Sequence, residues 1–190
     1  MAIRSFLAFE LPPDIKSTVS RVSGEIKRST LNVRWVNVKN IHLTMVFMGN
    51  IRSEDLPAIK DSIDEICRQY GPFDISLNGM GIFPNRRPRV LWLGLDGDLE
   101  MMSPFRDDLQ GRLETFGIKA EKRRFRPHLT LGRFRKPGRT DSQLGDLLEK
   151  YRDLTTRHCR LEELILFKSD LKPGGAVYTK LGSWPLSGSD

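Results

Sequence analysis

Two tetrapeptides share one pattern, His42-Leu43-Thr44-Met45 and His128-Leu129-Thr130-Leu131, and together they hold two of the chain's three histidines. On an extended strand, side chains alternate between faces, so His and Thr two apart point one way and the apolar pair points the other. Each copy therefore presents an imidazole beside a hydroxyl. Two imidazoles supply one general base and one general acid, and two hydroxyls donate to the free oxygens of a phosphate. This is equipment for opening a phosphodiester without a metal. Chance would place two of three histidines in such a pattern on the order of one time in a thousand. The third, His158, lies in Thr155-Thr156-Arg157-His158-Cys159-Arg160 with no Thr two residues on, and reads as a strand-surface residue.

Other chemistries fit less well. Neither motif has a second ligand at helical or CxxC spacing, and no carboxylate adjoins either, so no metal is expected. Cys159 neighbours His158, but adjacent strand residues point to opposite faces and do not pair as nucleophile and base. No GxxxxGK[ST] loop is present, so neither ATP-driven chemistry nor a bound cofactor is expected.

Charge points to the same kind of substrate. From Lys119 to Arg139 nine Lys or Arg stand against Glu121, a balance of +8 in a chain whose total is +7, so the remainder sums to −1. The run brackets the second His-x-Thr, and Arg86, Arg87 and Arg89 form a second cluster. An anionic substrate explains this placement, and nucleic-acid ends suit it. A membrane surface does not, because no amphipathic apolar face accompanies the run. No apolar stretch approaches the length of a membrane span, and the opening residues lack a signal-peptide cleavage site. Cys67 and Cys159 read as reduced thiols of a cytoplasmic protein.

The elements that must hold these residues follow from periodicity. Ile3 to Leu11 reads as a strand, stopped by Pro12-Pro13-Asp14, which opens a helix to about Arg28 with Ile15, Val19, Val22 and Ile26 on one face. Val33 to Val36 and Ile41 to Met48 read as strands, the second closed by Gly49. Ser53 caps a helix to about Tyr70 striped by Leu56, Ile59, Ile63 and Ile66. Phe73 to Phe83 and Arg89 to Leu95 read as strands, and Met101 to Phe116 as a helix ended by Gly117. Arg126 to Phe134 is the second motif strand, with Pro127 at its start or on an edge. Thr140 caps a short helix to about Tyr151, and Cys159 to Ser169 and Ala176 to Trp184 close the chain as strands. Arg126, two residues before His128, is expected on the catalytic face as a further phosphate ligand. No linker divides the chain. Residues 1–190 read as one domain of two lobes, each with one His-x-Thr strand facing a central groove.

Several blocks carry a resemblance. Arg4 to Pro12, Val33-Arg34-Trp35-Val36 with Asn40 to Gly49, Gly81-Ile82-Phe83-Pro84 with Pro88 to Gly94, Arg124 to Arg133, and Ser169 to Tyr178 together resemble the 2H phosphoesterases. Within these they are most similar to the RNA 2′,3′-cyclic phosphodiesterases once called 2′-5′ RNA ligases. The resemblance implies an α+β fold with two pseudo-symmetric, interleaved lobes of antiparallel strands and helices outside. It implies metal-independent hydrolysis of a terminal RNA 2′,3′-cyclic phosphate to a 2′-phosphate. On that mapping His42 is the proton donor, His128 the proton acceptor, and Thr44, Thr130 and Arg126 hold the phosphate. Some members also join RNA ends through a 2′-5′ linkage. The expected partner is thus an RNA end bearing a cyclic phosphate, and the expected state a monomer. A non-catalytic module that grips RNA ends is the alternative, but such a binder gains nothing from paired imidazoles, since Arg and Lys bind phosphate better at pH 7.

Overall fold

The computed structural model describes residues 2–84, 87–136 and 142–188. Nine strands form two antiparallel sheets, and four helices pack around them among the described residues. The strands are β1 (Ala2–Phe9), β2 (Val33–Trp35), β3 (Leu43–Arg52), β4 (Phe73–Phe83), β5 (Val90–Gly97), β6 (His128–Phe134), β7 (Cys159–Leu161), β8 (Glu163–Lys172) and β9 (Gly175–Pro185). The helices are α1 (Pro13–Ile26), α2 (Leu56–Cys67), α3 (Leu99–Glu114) and α4 (Ser142–Lys150). One sheet runs β3-β1-β8-β9 and the other β2-β6-β5-β4-β7, so strands from both ends of the chain build the first sheet. No described helix is long and apolar enough to cross a membrane.

The expected helical stripes are the ones that turn inward. Ile15, Val19, Val22 and Ile26 of α1 are buried, as are Ile59, Ile63 and Ile66 of α2, while Leu56 is half-buried against the same core. Strand β1 explains its own lack of alternation. Leu7 and Phe9 enter the main core, while Phe6 and Ala8 form a separate small cluster with Ile165 and Phe167 on the opposite face. Both faces of this strand are covered, so the run Phe6-Leu7-Ala8-Phe9 is apolar throughout. His42 rests on this second cluster, stacked with Phe6 and Phe167.

Four elements depart from the expectation. The predicted strand Cys159–Ser169 is two strands in different sheets: Leu161 pairs with Phe73, and Leu164 pairs with Phe9. The exposed pair Glu162-Glu163 between buried Leu161 and Leu164 breaks the period of two, and the chain changes sheets there. Strand β3 does not stop at Gly49 but runs on to Arg52 through a bulge, with Gly49 at φ 68°. Ser53 opens a short 3₁₀ turn, Ser53–Asp55, and α2 begins after it. Helix α3 begins at Leu99, two residues earlier than predicted. Thr140, with Arg86 and Arg139, lies outside the described residues.

Candidate active site

The two motif strands lie in different sheets, and the connection between β2 and β3 ties them together. Trp35 of β2 pairs with Gly132 of β6, and the Val36 amide donates to the Leu131 carbonyl at 2.9 Å. A single 3₁₀ turn, Val38–Asn40, then carries the chain to His42 at the mouth of β3. Strands β3 and β6 thus approach each other although neither pairs with the other.

Each imidazole is held the same way. His42 Nδ1–H donates to the Asn40 carbonyl at 2.7 Å, and His128 Nδ1–H donates to the Arg126 carbonyl at 2.7 Å. A carbonyl only accepts, so each ring is fixed with its proton on Nδ1 and the Nε2 lone pair turned outward. His42 stacks on Phe6 with centroids 4.7 Å apart, and the Tyr178 edge meets it at 5.4 Å. His128 meets Phe83 edge-on at 5.2 Å, and Trp92, stacked on Phe83 at 4.8 Å, meets the same imidazole at 6.5 Å.

Register puts each threonine beside its histidine. Thr44 pairs with Ala8, a neighbour of Phe6 on the same face of β1. His128 pairs with Gly94 and Thr130 with Trp92, so both share one face of β6. Both threonines are half-buried, and neither hydroxyl is bonded to a described residue. Gly94 is required where it stands: a Cβ there would lie 2.2 Å from the Asn78 carbonyl oxygen. Two recesses result, about 390 Å³ around His42, Arg4, Phe47 and Tyr178, and about 430 Å³ around His128, Arg126, Trp92 and Asn78.

Burial dominates the titration of both rings. Loss of water pushes His42 down from 6.5 to about 4, against the opposing pull of the Asn40 carbonyl. His128 is also lowered, first by burial, then by the Arg133 charge, while the Arg126 carbonyl opposes both. Burial raises the Tyr178 phenol, and the charges of Arg4 and Arg133 oppose this. Arg133 therefore acts on His128 in one sheet and on Tyr178, which touches His42, in the other.

Arg126 reaches the site by another route than expected. Strand β6 starts at His128, so Arg126 precedes it and does not share a strand face with it. Its guanidinium nevertheless stands over the Phe83 ring at 5.9 Å, on the wall of the His128 recess. The segment that carries it, 119–127, is clamped onto α3: Gln110 Oε1 accepts from the Glu121 amide at 2.7 Å, and buried Arg106 donates to the Glu121 carbonyl at 3.2 Å and lies over Phe125. Arg123 pairs with Glu121 at 2.5 Å, which removes one charge from the basic run. The sequence reading missed Arg133 as a site residue. Between Leu91 and Trp92 the β5–β6 register slips, leaving Leu131 unpaired, so Arg133 joins the face of Thr130 and His128. His158 is exposed, stands just before β7 rather than in a strand, and lines neither recess. Among the described residues no group of three or more His, Cys, Asp or Glu is placed to hold a metal.

Comparison with known proteins gives a consistent picture. A family model described as the 2′-5′ RNA ligase superfamily matches residues 11–173. The chain is similar to the RNA 2′,3′-cyclic phosphodiesterase of Methanothermobacter thermautotrophicus, 34% identical over 95% of this chain and 97% of that one. It is 30% identical to the protein of the same name from Archaeoglobus fulgidus, over 94% of this chain and 98% of that one. The solved structure of TT0787 from Thermus thermophilus superposes with a TM-score of 0.80 at 26% identity, covering 99% of this chain and 100% of the other. E. coli LigT complexed with 3′-AMP shares the fold at 24% identity, with a TM-score of 0.80 over 98% of this chain and 99% of the other.

Proposed function

The chain belongs to the 2′-5′ RNA ligase superfamily, and from that premise we propose that it hydrolyses a terminal RNA 2′,3′-cyclic phosphate to a 2′-phosphate by paired histidine catalysis. The observation that carries this reading is the shared hold on the two imidazoles. Each has Nδ1 bound to a carbonyl two residues earlier, a free Nε2, and a threonine hydroxyl beside it. A pure RNA-end binder has no use for this arrangement, and the relatives named as cyclic phosphodiesterases match over nearly their whole length.

In this reading water attacks phosphorus in line with the 3′-oxygen. His128 Nε2 takes the water proton, the P–O3′ bond breaks, and His42 delivers a proton from Nε2 to the leaving oxygen, giving a 3′-hydroxyl and a 2′-phosphate. Thr44 and Thr130 donate to the non-bridging oxygens, where charge accumulates, and Arg126 adds a guanidinium from the wall of the recess. The free protein holds a proton on His42 poorly, since burial lowers it to about 4. The negative charge of the bound cyclic phosphate favours the imidazolium and loads the acid when substrate arrives. With the 5′-hydroxyl of another RNA end in place of water, the same steps form a 2′-5′ linkage: the 5′-oxygen attacks phosphorus, its proton passes to His128, the P–O3′ bond breaks, and His42 protonates the 3′-oxygen. We place this chemistry in the cytoplasm, where the free thiols Cys67 and Cys159 stay reduced.

The test is to incubate an oligonucleotide ending in 2′,3′-cyclic phosphate with the protein and identify the terminal phosphate by ³¹P NMR. A 2′-phosphate is expected. An unchanged end contradicts catalysis, and a 3′-phosphate contradicts the assigned leaving oxygen.

A further inference from the structure

In-line attack decides which nucleoside belongs to which recess. The entering and leaving oxygens stand on opposite sides of phosphorus, and in the reaction above His128 serves the first and His42 the second. The leaving 3′-oxygen carries the terminal ribose. That nucleoside, and the RNA chain attached to it, therefore lie on the His42 side, beside Phe6, Phe47 and Tyr178. Water enters from the other side and needs no more room than its own volume. Yet His128 opens onto a recess of about 430 Å³, a size that holds a small molecule.

The walls of this recess suit a flat ring with a polar edge. The Trp92 indole reaches from Gly81 to Gly94, and both glycines leave it room. A Cβ on Gly81 would stand 2.2 Å from Trp92 Cζ2, and one on Gly94 would stand 3.2 Å from Cζ3. Phe83 stacks on the same indole at 4.8 Å, which makes the aromatic wall continuous. A bulge in β4 supplies the polar group. Asn78 and Gly79 together oppose Gly94 alone, and Gly79 takes φ 66°. Asn78 is exposed and lines the recess, and its carboxamide has no partner among the described residues. A carboxamide presents a donor beside an acceptor, the pattern that the edge of a nucleobase presents in return.

We propose that the His128 recess is an acceptor site, which holds the nucleoside whose 5′-hydroxyl takes the place of water. The inference rests on the functional reading above. The base lies against Trp92 and Phe83 with its edge at Asn78, and the 5′-oxygen comes to His128 Nε2. That oxygen bonds to phosphorus, its proton passes to His128, the P–O3′ bond breaks, and His42 protonates the 3′-oxygen. The products are a 2′-5′ phosphodiester and a free 3′-hydroxyl, with no other reactant consumed. Holding the alcohol beside phosphorus turns a bimolecular attack into one within the complex, which lets it compete with water. The enzyme then selects nucleosides over other alcohols, through residues that hydrolysis does not use.

The experiment offers two alcohols to an oligonucleotide ending in 2′,3′-cyclic phosphate. One is 2′,3′-dideoxyadenosine, whose only hydroxyl is the 5′ one. The other is tetrahydrofurfuryl alcohol, the same hydroxymethyl ring without a base. Within each protein the ratio of ligated to hydrolysed product is measured, so that the shared acid–base chemistry cancels. Wild type is expected to favour the dideoxynucleoside roughly tenfold at equal concentration, as for a base stacked on an aromatic wall, and to saturate with it. Asn78→Trp, which fills the recess from an exposed position, should bring the two alcohols level, and Asn78→Ala should keep part of the preference. Calorimetry on protein saturated with the 2′-phosphate product should show the dideoxynucleoside binding to wild type and not to Asn78→Trp. Thermal melting confirms that each variant is folded. Equal use of the two alcohols by wild type, or a full preference retained by Asn78→Trp, overturns the acceptor site even if hydrolysis is normal. Absence of both hydrolysis and ligation, with calorimetric binding present in wild type and lost in Asn78→Trp, overturns the functional reading and upholds the nucleoside site.

Discussion

His42 and His128 are oriented by the same contact, Nδ1–H to a backbone carbonyl two residues earlier at 2.7 Å, though they stand at the entrances of strands in different sheets. The contact fixes the tautomer of each ring and frees each Nε2. It makes the two imidazoles equivalent in geometry and leaves their surroundings to divide the work. His42 rests on the aromatic cluster of Phe6, Phe167 and Tyr178, whereas His128 faces Phe83 and the charge of Arg133.

The first expectation is that each imidazole is indispensable. His42→Ala and His128→Ala should each lower kcat by roughly 10²–10⁴ while remaining folded, as expected for general acid–base groups. Because the two act in one step, the double variant should be little worse than the poorer single one. Single-turnover rates on a cyclic-phosphate oligonucleotide measure this, and a single variant with near-normal turnover would refute pairing.

Acid should act on both activity and stability. In the free protein both rings are held below their ordinary value, so the basic limb of kcat/KM is expected on the acid side of neutrality. The bound phosphate raises the imidazolium populations, so the basic limb of kcat should lie at higher pH, each limb belonging to the coupled pair. For stability the sign follows from His42, lowered from 6.5 to about 4 on folding. The unfolded chain takes up the proton first, so stability is full above the ordinary value and falls as pH drops towards 4. Melting temperature against pH should be flatter in His42→Asn. An equally steep fall in that variant would remove His42 as its source.

Much of this is legible in the sequence, and the exceptions have definable causes. The His-x-Thr pairs, the helical stripes and most strand spans follow from periods of 2 and 3.6, because side-chain direction there is a local property. The sheet change at Glu162-Glu163 shows in the sequence only as two acidic residues in a row, inside a stretch that otherwise reads as one strand. The bulge at Leu131 leaves no such trace, since a register slip belongs to the pairing of β5 with β6 rather than to either strand. From sequence, Arg133 therefore reads as part of the basic run and not of the site. For Arg126 the expected neighbourhood stands although the reason differs: it arrives from the clamped segment before β6, over Phe83.

That distinction sets different roles for the basic residues. Arg126→Ala should lower turnover even on a cyclic mononucleotide, because its guanidinium lines the His128 recess. Neutralising Lys122, Arg123 and Arg124 together should weaken oligonucleotide binding and flatten its salt dependence, with little change for the mononucleotide. Equal losses on both substrates for the triple variant would place the segment within the active site.

Gly94→Ala tests the platform beneath His128. The added methyl would meet the Asn78 carbonyl oxygen at 2.2 Å, so β4 and β5 must part where β5 supports the histidine. The expected outcome is a melting temperature lowered by several degrees and a reduced kcat, since overpacking costs about 1–3 kcal/mol. Wild-type melting and turnover would show that the strands yield freely there.

Activity should also persist in excess EDTA, because the donors gathered at the site are imidazoles and hydroxyls with no carboxylate beside them. Loss of turnover on chelation, restored by zinc, would replace acid–base catalysis with metal catalysis.

The assignment of acid and base is tested most directly by a substrate whose bridging 3′-oxygen is replaced by sulfur, a leaving group that departs without a proton. His42→Ala, assayed on this molecule, should recover most of the rate it loses on the oxygen substrate, while His128→Ala should remain as impaired as before. Recovery by His128→Ala instead, or by neither variant, would contradict His42 as the proton donor and His128 as the acceptor.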